Sequence, residues 1–182
     1  VRTGTHPLTG MLWLKQQEAL ARGETITVKS VSADVGVTTA CLSEHEHRHI
    51  AARPEDVEDY AAVTVTFSDG TKCLTIASDT VLGGTKNYIE VNFSFLMCNI
   101  TPTDILNTYF LDEEGLDDVY ISEMLPAKLG WNKAFVSDEI IRGYMGELQD
   151  FMETIAYDKT PSSDFALAYE TTKIMYAAYQ SA

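Results

Sequence analysis

The chain has 182 residues, 45% of them apolar, enough for a sizeable core and too many for a disordered segment. Its formal net charge of −14 argues against a nucleic-acid or anionic-membrane partner, both of which require a basic footprint, and neither an apolar run of membrane-spanning length nor a signal peptide is visible in these residues. Cys41, Cys73 and Cys98, widely spaced and in no C-x-x-C pattern, read as three reduced thiols of a cytoplasmic protein.

The chain opens on Val1 rather than Met and enters an apolar pattern almost at once, the mark of a piece whose N-terminus lies elsewhere. Leu8, Met11, Leu12 and Ala19 predict a helix from Leu8 to about Arg22, with Pro7 in its first turn and Gly23 as its C-terminal cap. His6 then sits at the mouth of a helix N-terminus, where it either caps the helix or serves as a neutral imidazole or anion site. Thr25 to Val35 alternates as a strand.

Ser43-x-x-Glu46 predicts a capping box opening a short helix that Pro54 closes. The same segment contains His45-Glu46-x-x-His49, the spacing that places two imidazoles on one zinc ion. That helix is short and lacks apolar flanks, and His6 and His47 are the only other histidines, so a solvated turn with no metal is the expectation.

The clearest signal runs from Val57 to Thr80, where two period-2 runs flank Asp69-Gly70 and predict a β-hairpin. A two-residue loop places Val65 opposite Leu74 and Val63 opposite Ile76, making one apolar face, with Thr64, Thr66, Cys73 and Thr75 on the other. Strands follow over Lys86–Phe93, Phe95–Pro102 and Ile105–Leu111, after a break at Gly83-Gly84. Asp112-Glu113-Glu114 and Asp117-Asp118 form an acidic turn, and Gly130-Trp131 ends an irregular stretch.

A helix is predicted from about Ser137 to Ala156, with Ile141, Tyr144, Met145, Leu148, Met152 and Ile155 along one face. After an N-cap at Asp164 a last helix carries Ala168, Met175 and Ala178 along one stripe. The expected architecture is α+β: an open, mostly antiparallel sheet of about five or six strands, covered on one face by the last two helices. No G-x-G-x-x-G, P-loop or nucleophile-elbow pattern is present, so composition and spacing deliver no reaction.

Several stretches read together resemble the C-terminal half of the Gfo/Idh/MocA oxidoreductase family. They are Gly4-x-His6-Pro7 before a helix, Arg53-Pro54-x-Asp56-Val57-Glu58-Asp59-Tyr60-Ala61, Phe67-x-Asp69-Gly70, and Cys98-Asn99-Ile100-x-Pro102. Gly130-Trp131, Gly143-Tyr144, Glu147-Leu148-x-Asp150-Phe151 and Tyr176-Ala177-Ala178-Tyr179-x-Ser181-Ala182 continue the series. The resemblance spans residues 1–182 and implies a C-terminal substrate-binding and oligomerisation domain, with the Rossmann domain that binds NAD or NADP absent from the chain.

It further implies a sugar- or polyol-like substrate, a homo-oligomer through the open sheet face, and an inactive fragment. Onto the family's Asp-x-Gly-x-His motif fall Gly4 and His6, which makes His6 the implied acid–base residue, the base that removes a hydroxyl proton. Arg2 stands where the Asp is usual, a departure that suits an acidic or phosphorylated ligand, and Arg2 and Trp131 become the implied substrate contacts. A non-catalytic dimerisation or ligand-binding domain, and a zinc hydrolase on His45, Glu46 and His49, are the competing classes.

Overall fold

The computed structural model describes residues 4–47, 50, 57–80, 88–101, 105–110, 130–134 and 143–182. They divide into two compact units, one from residues 1–85 with 162–182 and one from residues 86–161.

In the first unit, α1 (Thr5–Arg22) stops at Gly23, whose φ of 62° turns its N–H back onto the carbonyls of Ala19 and Leu20. Strands β1 (Val28–Gly36), β2 (Tyr60–Phe67) and β3 (Lys72–Ser78) form an antiparallel sheet in that spatial order. Between β1 and β2 lie a 3₁₀ turn (Thr39–Cys41) and the four-residue α2 (Glu44–His47). The predicted capping box is present: Ser43 N–H and Oγ donate to Glu46, at 2.9 and 2.7 Å. The unit closes with the C-terminal helix (Phe165–Ser181), in which the Asp164 carboxylate accepts the Leu167 N–H at 2.8 Å.

The second unit holds β4 (Ile89–Asn92), β5 (Leu96–Thr101), β6 (Ile105–Phe110) and β7 (Gly130–Ala134), paired antiparallel in chain order. It also holds α3 (Tyr144–Tyr157), which makes the C-terminal helix α4. The α+β class and antiparallel pairing match expectation. The described strands number seven rather than five or six and lie in ladders of three and four, because Gly130–Ala134 pairs along β6 instead of ending an irregular stretch. The predicted start of α3 before Gly143, the acidic stretch 112–118 and Gly83-Gly84 lie outside the described residues.

The hairpin forms, but one residue out of the predicted register. Val65 lies opposite Cys73 and Val63 opposite Thr75. Phe67 N–H donates to Thr71 O and Gly70 N–H to Phe67 O, so Ser68, Asp69 and Gly70 make a three-residue loop, with Gly70 at φ 89°. Asp69 Oδ1 accepts from the Thr71 N–H (3.0 Å) and hydroxyl (2.7 Å), which holds the wider loop. The faces are therefore sorted differently from expectation. Thr75 and Ala77 are buried beside Val63 and Val65, whereas Leu74 and Ile76 are 62% and 56% exposed on the opposite face.

Helices α1 and α4 cover the buried face, where expectation put α3 and α4. Leu8 and Leu12 from α1, and Leu167 and Ile174 from α4, pack on Val63, Val65 and Phe67. Leu8, Leu12, Lys15 and Ala19 form one continuous buried stripe on α1. Tyr144, Met145, Leu148, Met152 and Ile155 of α3 are exposed. On α4 the buried stripe is Leu167, Thr171, Ile174 and Ala178; Ala178 lies on it as predicted and Met175 packs beside it half-buried, whereas Ala168 faces out and the larger Leu167 and Ile174 reach the core.

Asp59 fastens one end of this sheet. Its carboxylate, 1% exposed, accepts the N–H groups of Thr38 (2.7 Å) and Thr39 (2.9 Å) and both threonine hydroxyls. Its own N–H donates to Gly36 O, and its carbonyl accepts the Asp79 N–H. Burial alone would raise this carboxyl, but the hydrogen bonds from Thr39 and Thr38 outweigh it and hold its pKa at about 2.

Candidate functional site

Gly4, not His6, is the N-cap of α1, and no side chain caps that end. His6 is thus the second residue of the helix and exposed, and the capping role is excluded. Thr5 Oγ1 contacts Met175 Sδ at 3.7 Å and Thr9 Oγ1 reaches Thr171 Oγ1 at 3.3 Å, so α1 and α4 run antiparallel against each other. Between them lies an open groove of about 390 Å³ lined by Thr5, His6, Thr9, Gly10, Ser163, Ala168, Thr171 and Thr172. That volume is within the range of small-molecule sites.

The groove is polar in a particular sense. Thr9 donates its hydroxyl to Thr5 O (2.8 Å), Thr171 to Leu167 O (2.9 Å) and Thr172 to Ala168 O (2.8 Å). With their protons directed to helix carbonyls, Thr9 and Thr172 retain oxygen lone pairs as acceptors, whereas Thr171 is buried with its oxygen turned to Thr9. A ligand rich in hydroxyl donors is complementary to such a lining, and the His6 imidazole supplies a group able to take up a proton beside it.

A second cavity, on the sheet side of the same helices, is bounded by Leu8, Val63, Ala77, Met175 and Ala178 and measures about 40 Å³. It is apolar and too small for a sugar; the Tyr179 hydroxyl bound to Glu58 stands at its rim.

Of the other residues singled out from the sequence, Arg2 and His49 lie outside the described residues. Trp131 belongs to the second unit, on β7 opposite Tyr109 of β6. His45 is exposed on the short α2, and Glu46, the would-be base of a zinc site, is engaged by Ser43, whose hydroxyl and N–H hold its carboxyl below its ordinary value. Among the described residues no group of three or more His, Cys, Asp or Glu could hold a metal ion. All three cysteines are free, and burial pushes the Cys73 and Cys98 thiols up.

The sequence reading missed the groove threonines and Lys15. The signals were Thr5-x-x-x-Thr9 and Thr171-Thr172, hydroxyls placed where adjacent helix turns meet, but their meaning depends on which helices pair. Lys15 is 9% exposed and bound to Glu18 and Asp69. Burial alone would lower its ammonium, but the hydrogen bonds it donates to Asp69 and Glu18 prevail and raise it.

No family model matches the chain, and no curated sequence matches it. Solved structures share its fold. UDP-N-acetylglucosamine 3-dehydrogenase from Acidithiobacillus ferrooxidans superposes with a TM-score of 0.62 at 14% identity, over 98% of this chain and 46% of that one. An NAD binding oxidoreductase from Klebsiella pneumoniae gives 0.60 at 15% identity, over 85% and 43%. An oxidoreductase domain protein from Kribbella flavida gives 0.58 at 16% identity, also over 85% and 43%. The chain spans less than half the length of these structures.

Proposed function

We propose that the chain is the substrate-binding half of an NAD- or NADP-dependent oxidoreductase acting on a sugar, polyol or related hydroxy compound. The observation that carries this reading is the placement of His6 in a groove whose threonine oxygens are left as acceptors. His6 takes up the proton of the substrate hydroxyl, and Thr9 and Thr172 receive neighbouring hydroxyls. The fold neighbours support the class, one being by name a dehydrogenase of a nucleotide sugar and another NAD-binding.

The chain's own residues do not fit a dinucleotide. It has no G-x-G-x-x-G, and its described strands pair antiparallel, without the parallel switch point where such cofactors lie. The cofactor is therefore assigned to a segment beyond these 182 residues. The free thiols support a cytoplasmic setting, and no helix among the described residues is long and apolar enough to cross a membrane.

The test is a titration of the chain with a hexose and with a nucleotide sugar, followed by NMR. Resonances of His6 and Thr172 should move and those of Lys173 on the other side of α4 should not, while NAD and NADP alone should leave the spectrum unchanged. A groove silent to every hydroxyl-rich ligand at millimolar concentration would sink the reading.

A further inference from the structure

Gly10 is the one glycine inside α1. Glycine weakens a helix relative to alanine, and three structural needs call for one there: a left-handed backbone, a close approach by another element, or a helix end. Gly10 meets none of them. It is not among the residues of positive φ, a Cβ built on it meets nothing within 4 Å, and α1 runs on to Arg22.

The missing side chain instead leaves part of the groove between α1 and α4 open. Gly10 lines that groove one helical turn beyond His6, on the same face of α1. Every Cα–Cβ bond of a helix tilts toward the N-terminus, so a side chain at position 10 would cover the surface over the preceding turn, beside the His6 imidazole.

We propose that Gly10 is the residue that sets how bulky a ligand can be brought to His6. This rests on the reading of the groove as the site of a hydroxyl-bearing substrate. The imidazole takes a proton only from an oxygen about 2.6–3.2 Å away, and the carbon carrying that oxygen brings its own substituents with it. In a sugar ring those substituents are further carbons, and the space over Gly10 is the room they occupy. Thr9 and Thr172 line the same groove with their acceptor oxygens.

Binding of glucose and of UDP-glucose to the 182-residue chain, measured by calorimetry and by the His6 resonances, tests the proposal. Gly10→Ala and Gly10→Leu should both melt above the wild-type chain, because each is a better helix former than glycine and the Cβ position is open. Their dissociation constants for the bound probe should nevertheless rise, by about tenfold for leucine and less for alanine, the scale on which added carbons alter a fitted contact. Gln17→Leu, which adds the same side chain at an exposed position of α1 outside the groove, should bind as the wild type does. A Gly10→Leu variant that binds as tightly as the wild type, or a Gln17→Leu variant that weakens binding equally, would overturn the role of Gly10 and leave the groove assignment standing. A Gly10→Ala variant that melts below the wild type would overturn it too, since the glycine would then serve packing. A wild-type chain that binds neither probe would overturn the groove assignment and this inference with it.

Discussion

Lys15 and Asp69, 54 residues apart in sequence, meet with Nζ 2.7 Å from Oδ2 and pin the middle of α1 to the tip of the β2–β3 hairpin. Glu18 holds the same ammonium at 2.6 Å, and the Phe67 ring lies beneath it, its centroid 5.5 Å away. A buried charge with its partners removed is costly, whereas replacing it by an apolar side chain of like length is often close to neutral. Asp69→Ala should therefore lower the melting temperature more than Lys15→Met does, although the first removes the more exposed residue. Thermal melts of the two variants decide it, and the reverse order would contradict the claim that the unpaired ammonium is the costlier loss.

Asp59 makes the fold sensitive to acid. Its carboxyl is more acidic in the folded chain, at about 2, than the roughly 3.9 of an unfolded aspartate. The stability it contributes, about 2 kcal/mol, is complete above about pH 4 and is lost as pH falls through about 2. Asp59→Asn should unfold more easily at neutral pH and show a flatter acid limb between about pH 4 and 2. Denaturant midpoints across that range measure both effects, and parallel curves for wild type and variant would contradict the assignment.

His6 is exposed and caps nothing, so His6→Ala should change stability by no more than about 0.5 kcal/mol. Joined to a dinucleotide-binding segment and assayed for turnover, the same variant should lose about 10²–10⁴-fold in kcat while binding the nucleotide as before. Unchanged turnover would remove His6 from the chemistry, and Thr172→Val, which deletes an acceptor, should raise KM without an equal fall in kcat.

Gly70 carries the positive φ of the hairpin loop, and a Cβ built there meets nothing within 4 Å. Gly70→Ala should cost about 1 kcal/mol through backbone conformation alone. An equilibrium unfolding curve indistinguishable from wild type would mean that the loop has another conformation in solution.

Much of the fold was legible in local patterns. The hairpin, the ends of α1 and α4 at Gly23 and Asp164, and the Ser43–Glu46 box are signals carried by residues a few positions apart. The register was not, because Asp-Gly suits both two- and three-residue loops, and in the folded chain Asp69 is also held by Lys15, from a helix that local pattern does not connect to it. The choice of α1 over α3 as a covering helix likewise turned on long-range packing, since both carry apolar stripes. The candidate site was legible only as His6. Its threonines acquire a role once α1 and α4 lie side by side.

The Asp59 carboxylate gathers donors from the 3₁₀ turn while its backbone links β1 and the end of β3. The carboxylate ties down the turn while the backbone of the same residue ties down the two strand ends, so a displacement of Asp59 that exposes its buried anion releases all three. In deuterated solvent the amides of Thr38, Thr39, Asp59 and Asp79 should accordingly lose their protons with one common opening free energy. This end of the sheet behaves as a single cooperative latch.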